Sequence, residues 1–130
     1  MKGVALLIRI FDLSVYKESY TLLVELIQAT KNFPKEYRYS LGEKIHDNLM
    51  ELILDIYRAN SASDKSEYIN SILIRTKRIE LFLRMFCDLK IIPLERYSHF
   101  IEKTSSISRQ SQGWLQACRK SGAEPIATTV

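Results

Sequence analysis

The sequence predicts an all-α fold, an antiparallel up-down-up-down four-helix bundle, and three observations lead to it. Apolar residues recur at three- and four-residue spacing over four separate stretches. Short breaks carrying proline or small polar residues join the stretches, and short connections make consecutive helices antiparallel neighbours. Glycine and proline are scarce, four and three in 130 residues, which favours long regular elements over a loop-rich β fold.

The first helix is expected at about 13–31, where Leu13, Tyr16, Tyr20, Leu23, Ile27 and Thr30 follow a 3-4-3-4-3 spacing. That heptad seam reads as the face turned to the core. Ahead of it, Met1–Phe11 holds an apolar run at Val4–Ile8 that either extends this helix or lies as an arm on a neighbour. Phe33-Pro34 closes the helix, because a proline ring disfavours α geometry in the residue before it. Ser40 and Glu43 then match an S-x-x-E capping box opening a second helix at about 40–60. Its seam is Leu41, Ile45, Leu49, Leu52, Ile56 and Ala59, widened by Ile53 and Tyr57.

Asn60-Ser61-Ala62-Ser63 breaks the pattern, and Asp64 with Glu67 supplies a second cap signature. A third helix at about 65–90 follows, with Ile69, Ile72, Thr76, Ile79, Leu83 and Phe86 on its seam. Pro93 suits the first residue of a fourth helix at about 94–120. That run is Tyr97, Ile101, Thr104, Ser108, Ser111, Leu115 and Cys118, with Phe100, Ile107 and Trp114 beside it. Residues 1–120 thus form one bundle domain, and the aperiodic segment 121–130 reads as a disordered tail.

Several function classes fall away on composition. No apolar stretch approaches the roughly 20 residues needed to span a bilayer, and the N-terminal run lacks the length and cleavage site of a signal peptide. A cytoplasmic protein is expected. Cys87 and Cys118 lie in separate helices with no metal-ligand spacing around them. A bundle can host two metal ions where two Glu-x-x-His motifs face inward. Here Glu43 and His46 supply one motif, whereas the residue three before His99 is Arg96. The serines at 105, 106, 108 and 111 have no base near them in sequence, and no glycine-rich phosphate loop is present. No catalytic residue, metal or cofactor is assigned.

The net charge of +4 is mild, but it is unevenly placed. Residues 33–60 hold four basic and five acidic residues, against seven and five over 61–97 and four and two over 98–130. The excess therefore sits on the third and fourth helices. Arg75, Lys77, Arg78, Arg84, Arg109, Arg119 and Lys120 are the candidate phosphate-contacting residues. No element presents an aromatic–basic platform that would read base sequence. Tyr37 and Tyr39 near the proline turn are candidates for an interface.

Phe33-Pro34-Lys35-Glu36-Tyr37-Arg38-Tyr39-Ser40-Leu41-Gly42 resembles the F-P-K-x-x-R-[YF]-x-L-G signature of a small bacterial four-helix bundle family. The family comprises the accessory variability determinant (Avd) proteins of diversity-generating retroelements and the proteins encoded in 23S rRNA intervening sequences. Leu52 to Asn60 is similar to its alanine-ended second helix. Ile107-Ser108-Arg109-Gln110-Ser111-Gln112-Gly113-Trp114-Leu115 is similar to its I-G-[RK]-x-L-G-G-W-[IL] ending. Serine replaces the usual glycine at 108, and Ser111-Gln112 replaces leucine-glycine.

The resemblance implies a homopentamer with a basic central channel. For the retroelement branch it implies an accessory protein that binds a reverse transcriptase and its template RNA or DNA. For the other branch it implies a structural oligomer without a polymerase partner. Phe33, Pro34, Tyr37, Tyr39, Gly42, Gly113 and Trp114 are the candidate packing or oligomer contacts. Gly42 and Gly113 are expected where a neighbouring backbone or helix comes close, since glycine inside a helix otherwise costs about 1 kcal/mol.

Overall fold

The computed structural model describes the backbone of residues 10–129 and the side chains of residues 10–120. After a helical turn at 10–12 come α1 (Ser14–Thr30), α2 (Lys35–Arg38), α3 (Leu41–Ser61), α4 (Ser66–Asp88) and α5 (Leu94–Thr129). The four long helices start within a residue or two of the expected positions. No strand occurs among the described residues. Contacts run α1–α3, α3–α4, α4–α5 and α5–α1, the closed circuit of an up-down-up-down bundle. The expected arm within residues 1–9 lies outside the described residues. The expected tail falls on 121–130, whose side chains also lie outside them, and the helix assignment itself runs to Thr129.

The seams of α3 and α4 match the sequence reading. Ile45, Leu49, Leu52, Ile53, Ile56 and Ala59 from α3 are buried, as are all six expected positions of α4. Aliphatic side chains this deeply buried stabilise by roughly 1.5–3 kcal/mol each.

In α1 the expected seam is buried only in part, at Leu23 and Thr30. Val15, Ser19, Leu22, Leu23, Leu26 and Thr30 are buried, whereas Tyr20 and Ile27 stand exposed and Tyr16 is half-buried. Apolar residues come in adjacent pairs here (15/16, 22/23, 26/27), so two seams share one helix and periodicity alone does not choose between them. The core takes the aliphatic one and leaves Tyr16 and Tyr20 at its edge. In α5 the buried set is likewise Phe100, Thr104, Ile107, Ser111 and Leu115, while Tyr97, Ile101, Ser108 and Cys118 are half-buried.

The connections also differ in detail. Pro34 starts the one-turn α2, its carbonyl accepting from the Tyr37 and Arg38 N–H groups at 2.9 and 3.0 Å. This turn changes the role of Ser40. The capping box does not form, because Ser40 still has near-helical torsions and its hydroxyl donates back to the Glu36 carbonyl at 3.0 Å. At the second cap signature Asp64 Oδ1 accepts from the Ser66 N–H at 3.1 Å, but the N-cap position is held by Lys65, which makes no side-chain cap bond. Lys65 closes the end of α3, its Nζ donating to the carbonyls of Ala59, Asn60 and Ala62 at 2.8–3.0 Å. Lys90 ends the α4 turn in the left-handed region at φ 61°, and the Ile91 N–H reaches the Phe86 carbonyl at 2.8 Å. Pro93 precedes α5 by one residue, and its carbonyl accepts from the Tyr97 N–H at 3.0 Å.

Each of the four helix–helix seams carries a polar link. Thr30 Oγ1 lies 2.9 Å from His46 Nε2 across α1–α3. Thr104 donates to Glu80 at 2.9 Å across α5–α4, and His99 Nε2 is 2.5 Å from Glu25 across α5–α1. The α3–α4 seam holds the densest network. Asp55, 4% exposed at its side chain, accepts from Ser71 Oγ at 2.6 Å, Arg75 Nε at 2.9 Å and Arg58 Nη1 at 2.8 Å. Nothing in the periodicity announces this carboxylate. Asp55 simply occupies the flank of α3 that faces α4.

Candidate nucleic-acid and assembly surfaces

The seven basic candidates separate once Asp55 is placed. Arg75 is drawn inward: its guanidinium binds Asp55 and lies 3.9 Å from Glu51. Expecting it on a phosphate-facing flank is therefore incorrect, because the buried carboxylate on α3 already takes its charge. Lys77 and Arg84 are well exposed, but each has a local partner, Glu80 at 3.2 Å and Asp88 at 3.2 Å. The Asp88 carboxylate holds the Arg84 guanidinium pKa above its ordinary value, with the Tyr97 hydroxyl adding to the effect. Arg78, Arg109, Arg119 and Lys120 are exposed and make no ion pair among the described residues.

At 100° per residue, Lys77 and Arg84 lie on the side of α4 that turns toward α5. On α5, Arg119 falls toward α4, while Arg109 and Lys120 point outward, opposite the buried Phe100, Thr104, Ile107 and Ser111. Lys77, Arg84 and Arg119 therefore border the α4/α5 groove, while Arg78, Arg109 and Lys120 stand on the outer surfaces of their helices. These exposed cations are arranged as long flexible side chains over helix backbone, suited to phosphates rather than to base edges.

The packing candidates divide as well. Phe33 is core, 2% exposed, meeting Phe86 edge-on with ring centroids 4.8 Å apart. Pro34 and Tyr39 are exposed, Tyr39 by 62%, and Tyr37 is half-buried. Gly42 is buried, but a methyl there would meet Thr30 and the Tyr37 carbonyl at 3.6 Å, an ordinary contact distance. Gly113 is exposed and a methyl there would meet nothing within 4 Å. Within the protomer a methyl would fit at either glycine, and the backbone that comes near Gly42 is that of Tyr37. Trp114 is half-buried over the start of α1, beside a shallow cleft of about 170 Å³ lined by Leu13, Val15 and Gln110.

The substitutions at 108 and 111 leave a physical trace. Ser111 is fully buried with its hydroxyl unpaired, and Ser19 on α1 is the same, while Ser108 Oγ is also buried without a partner. A second cleft, about 280 Å³ and open, lies at the other end of the α1–α5 seam between Gln28, Asn32, Ile91, Pro93 and Arg96. Arg96 there is stacked 4.8 Å from the Phe100 ring centre. His46 is half-buried and engaged with Thr30, so Glu43 and His46 do not converge with other ligands. Among the described residues no three His, Cys, Asp or Glu side chains gather to hold a metal ion, and both cysteines are half-buried free thiols. No described helix is long and apolar enough to cross a membrane.

These observations define a small helical-bundle protein with exposed cations on α4 and α5. A family model described as bAvd-like matches residues 14–118, well over half of the 130 residues, and the chain belongs to that family. A comparison with curated proteins finds no match.

Proposed function

We propose that this chain is a non-catalytic accessory protein of a diversity-generating retroelement, acting in the cytoplasm. It assembles as a homo-oligomer, for which the resemblance implies five copies. In that form it binds the element's reverse transcriptase and the template RNA or DNA during mutagenic cDNA synthesis. Membership of the bAvd-like family supports this reading at the level of the family. The observation that carries the nucleic-acid part is the set of exposed cations on α4 and α5, of which Arg78, Arg109, Arg119 and Lys120 make no ion pair among the described residues. Surface cations of this kind give affinity through counterion release, which needs no sequence reading.

The test is co-purification of the full chain with a reverse transcriptase encoded beside it, with and without template RNA. A complex that persists at moderate salt and gains stability from RNA is the expected result. A chain that binds RNA but no reverse transcriptase would instead support the structural oligomer of the intervening-sequence branch. A chain that binds neither would end the proposal.

A further inference from the structure

The cleft of about 280 Å³ at the end of the bundle where α1 finishes and α5 begins has no part in the surfaces assigned above. Gln28 and Asn32 border it from α1 and the turn that follows. Ile91, Ile92, Pro93 and Arg96 border it from the α4–α5 connection and the first turn of α5. Both walls are braced. On one side the Asn32 and Phe33 N–H groups donate to the Ala29 and Thr30 carbonyls at 3.1 Å, and the buried Phe33 ring rests against Phe86. On the other, the Ile91 and Ile92 N–H groups both donate to the Phe86 carbonyl, at 2.8 and 3.3 Å. Phe86 thus ties the two walls together, and the cleft is preformed.

Arg96 sets its chemistry. The guanidinium lies 4.8 Å from the centre of the fully buried Phe100 ring, so the stack holds a cation on a rigid base. Arg58, Arg75 and Arg84 each hold a carboxylate, whereas Arg96 makes no ion pair among the described residues. The side chains of Gln28 and Asn32 likewise make no hydrogen bond among the described residues. One cation and two carboxamides, all uncommitted, therefore face an apolar wall in which Ile92 is buried and Ile91 half-buried. Exposed Lys31, Lys90 and Glu95 adjoin the lining residues in sequence, so the surroundings are positive as well. The next acid along α1, Glu25, is engaged by His99.

A guanidinium grips a planar carboxylate through two parallel N–H donors, and carboxamides supply further neutral donors. One cation inside the cleft matches the single charge of a carboxylate better than the double charge of a phosphate monoester. The volume lies at the lower edge of small-molecule sites, enough for an acylated amino acid or the last residue of a chain. We propose that this cleft binds a carboxylate carried on a small aliphatic body, with Arg96 holding the carboxylate and Ile91, Ile92 and Pro93 the body. The site is independent of the nucleic-acid reading above, because Arg96 is not among the cations assigned to phosphates.

NMR titration of the isotope-labelled full chain tests the site, with N-acetyl-leucine as the probe. Saturable shifts in the side-chain signals of Gln28, Asn32 and Arg96 are expected. N-acetyl-leucinamide, which has the same body and no charge, is expected to bind at least about tenfold more weakly, and Arg96→Gln to weaken the acid by a similar factor. Arg96→Lys keeps the charge, loses the fork and is expected to fall between. Should Arg96→Gln lose its helical circular dichroism, Gln28→Ala takes its place, with a loss of about threefold expected. The peptide alanyl-alanyl-leucine separates two sources of the carboxylate: tighter binding than N-acetyl-leucine assigns the cleft to a chain end, and equal or weaker binding to a small acid. Absent shifts, equal affinity for acid and amide, or affinity unchanged in the variant would overturn the carboxylate site. Tighter binding of adenosine monophosphate would overturn it in favour of a phosphate.

Discussion

Asp55 shows how much a single residue can decide. Its carboxylate is nearly inaccessible and holds Ser71, Arg75 and Arg58 together across α3–α4. Removing the charge leaves Arg75 partly buried without its main partner, so Asp55→Ala is expected to cost about 2–4 kcal/mol in urea unfolding. Glu51→Gln touches the same arginines from a 42%-exposed side chain and is expected to cost less than about 1 kcal/mol. Equal costs in the two variants would contradict the network. Lys90 holds a left-handed torsion that glycine adopts without strain, so Lys90→Gly is expected to raise stability by about 0.5–1 kcal/mol. Gly113 is the converse. With open space where a methyl would go, Gly113→Ala is expected to stabilise the isolated protomer by up to about 1 kcal/mol. A destabilised Gly113→Ala monomer would mean that the glycine serves the fold after all.

At the scale of elements, the four helices are legible in the sequence, and in α4 all six positions read from spacing are buried although Ile74 and Leu81 form a second, exposed apolar line. The α1 stretch offers two registers one residue apart, and the positions read from spacing split between them: Leu23 and Thr30 are buried, whereas Tyr20 and Ile27 are exposed. Caps are less legible than helices. Ser40 and Glu43 have the right identities, but α2 places Ser40 at the end of a preceding turn, which sequence identity does not reveal. The α1–α5 seam is the least well satisfied, with the unpaired buried hydroxyls of Ser19 and Ser111. Ser111→Ala removes one such group at almost constant shape and is expected to stabilise by about 1 kcal/mol in thermal unfolding. A destabilisation of similar size would show that the hydroxyl is satisfied in solution.

For the molecule as a whole, charge placement is legible in the sequence and charge availability is not. Segment sums locate the basic excess on the third and fourth helices, and the exposed cations are found there. Only the fold shows that Arg75 belongs to Asp55 and that Lys77 and Arg84 have neighbours of opposite charge. The exposed cations of α4 and α5 are the surface proposed to face nucleic acid. The basic face is tested most directly by the salt dependence of RNA binding, measured on the wild-type chain and on a variant carrying Arg109→Glu, Arg119→Glu and Lys120→Glu. These three side chains lie at the surface, so the helical signal should be unchanged. Every phosphate that the variant no longer neutralises should lower the steepness of log affinity against log salt by about 1, so a drop of about 3 with weaker binding is expected. A variant that keeps the wild-type slope and affinity would contradict the assignment of this face to nucleic acid.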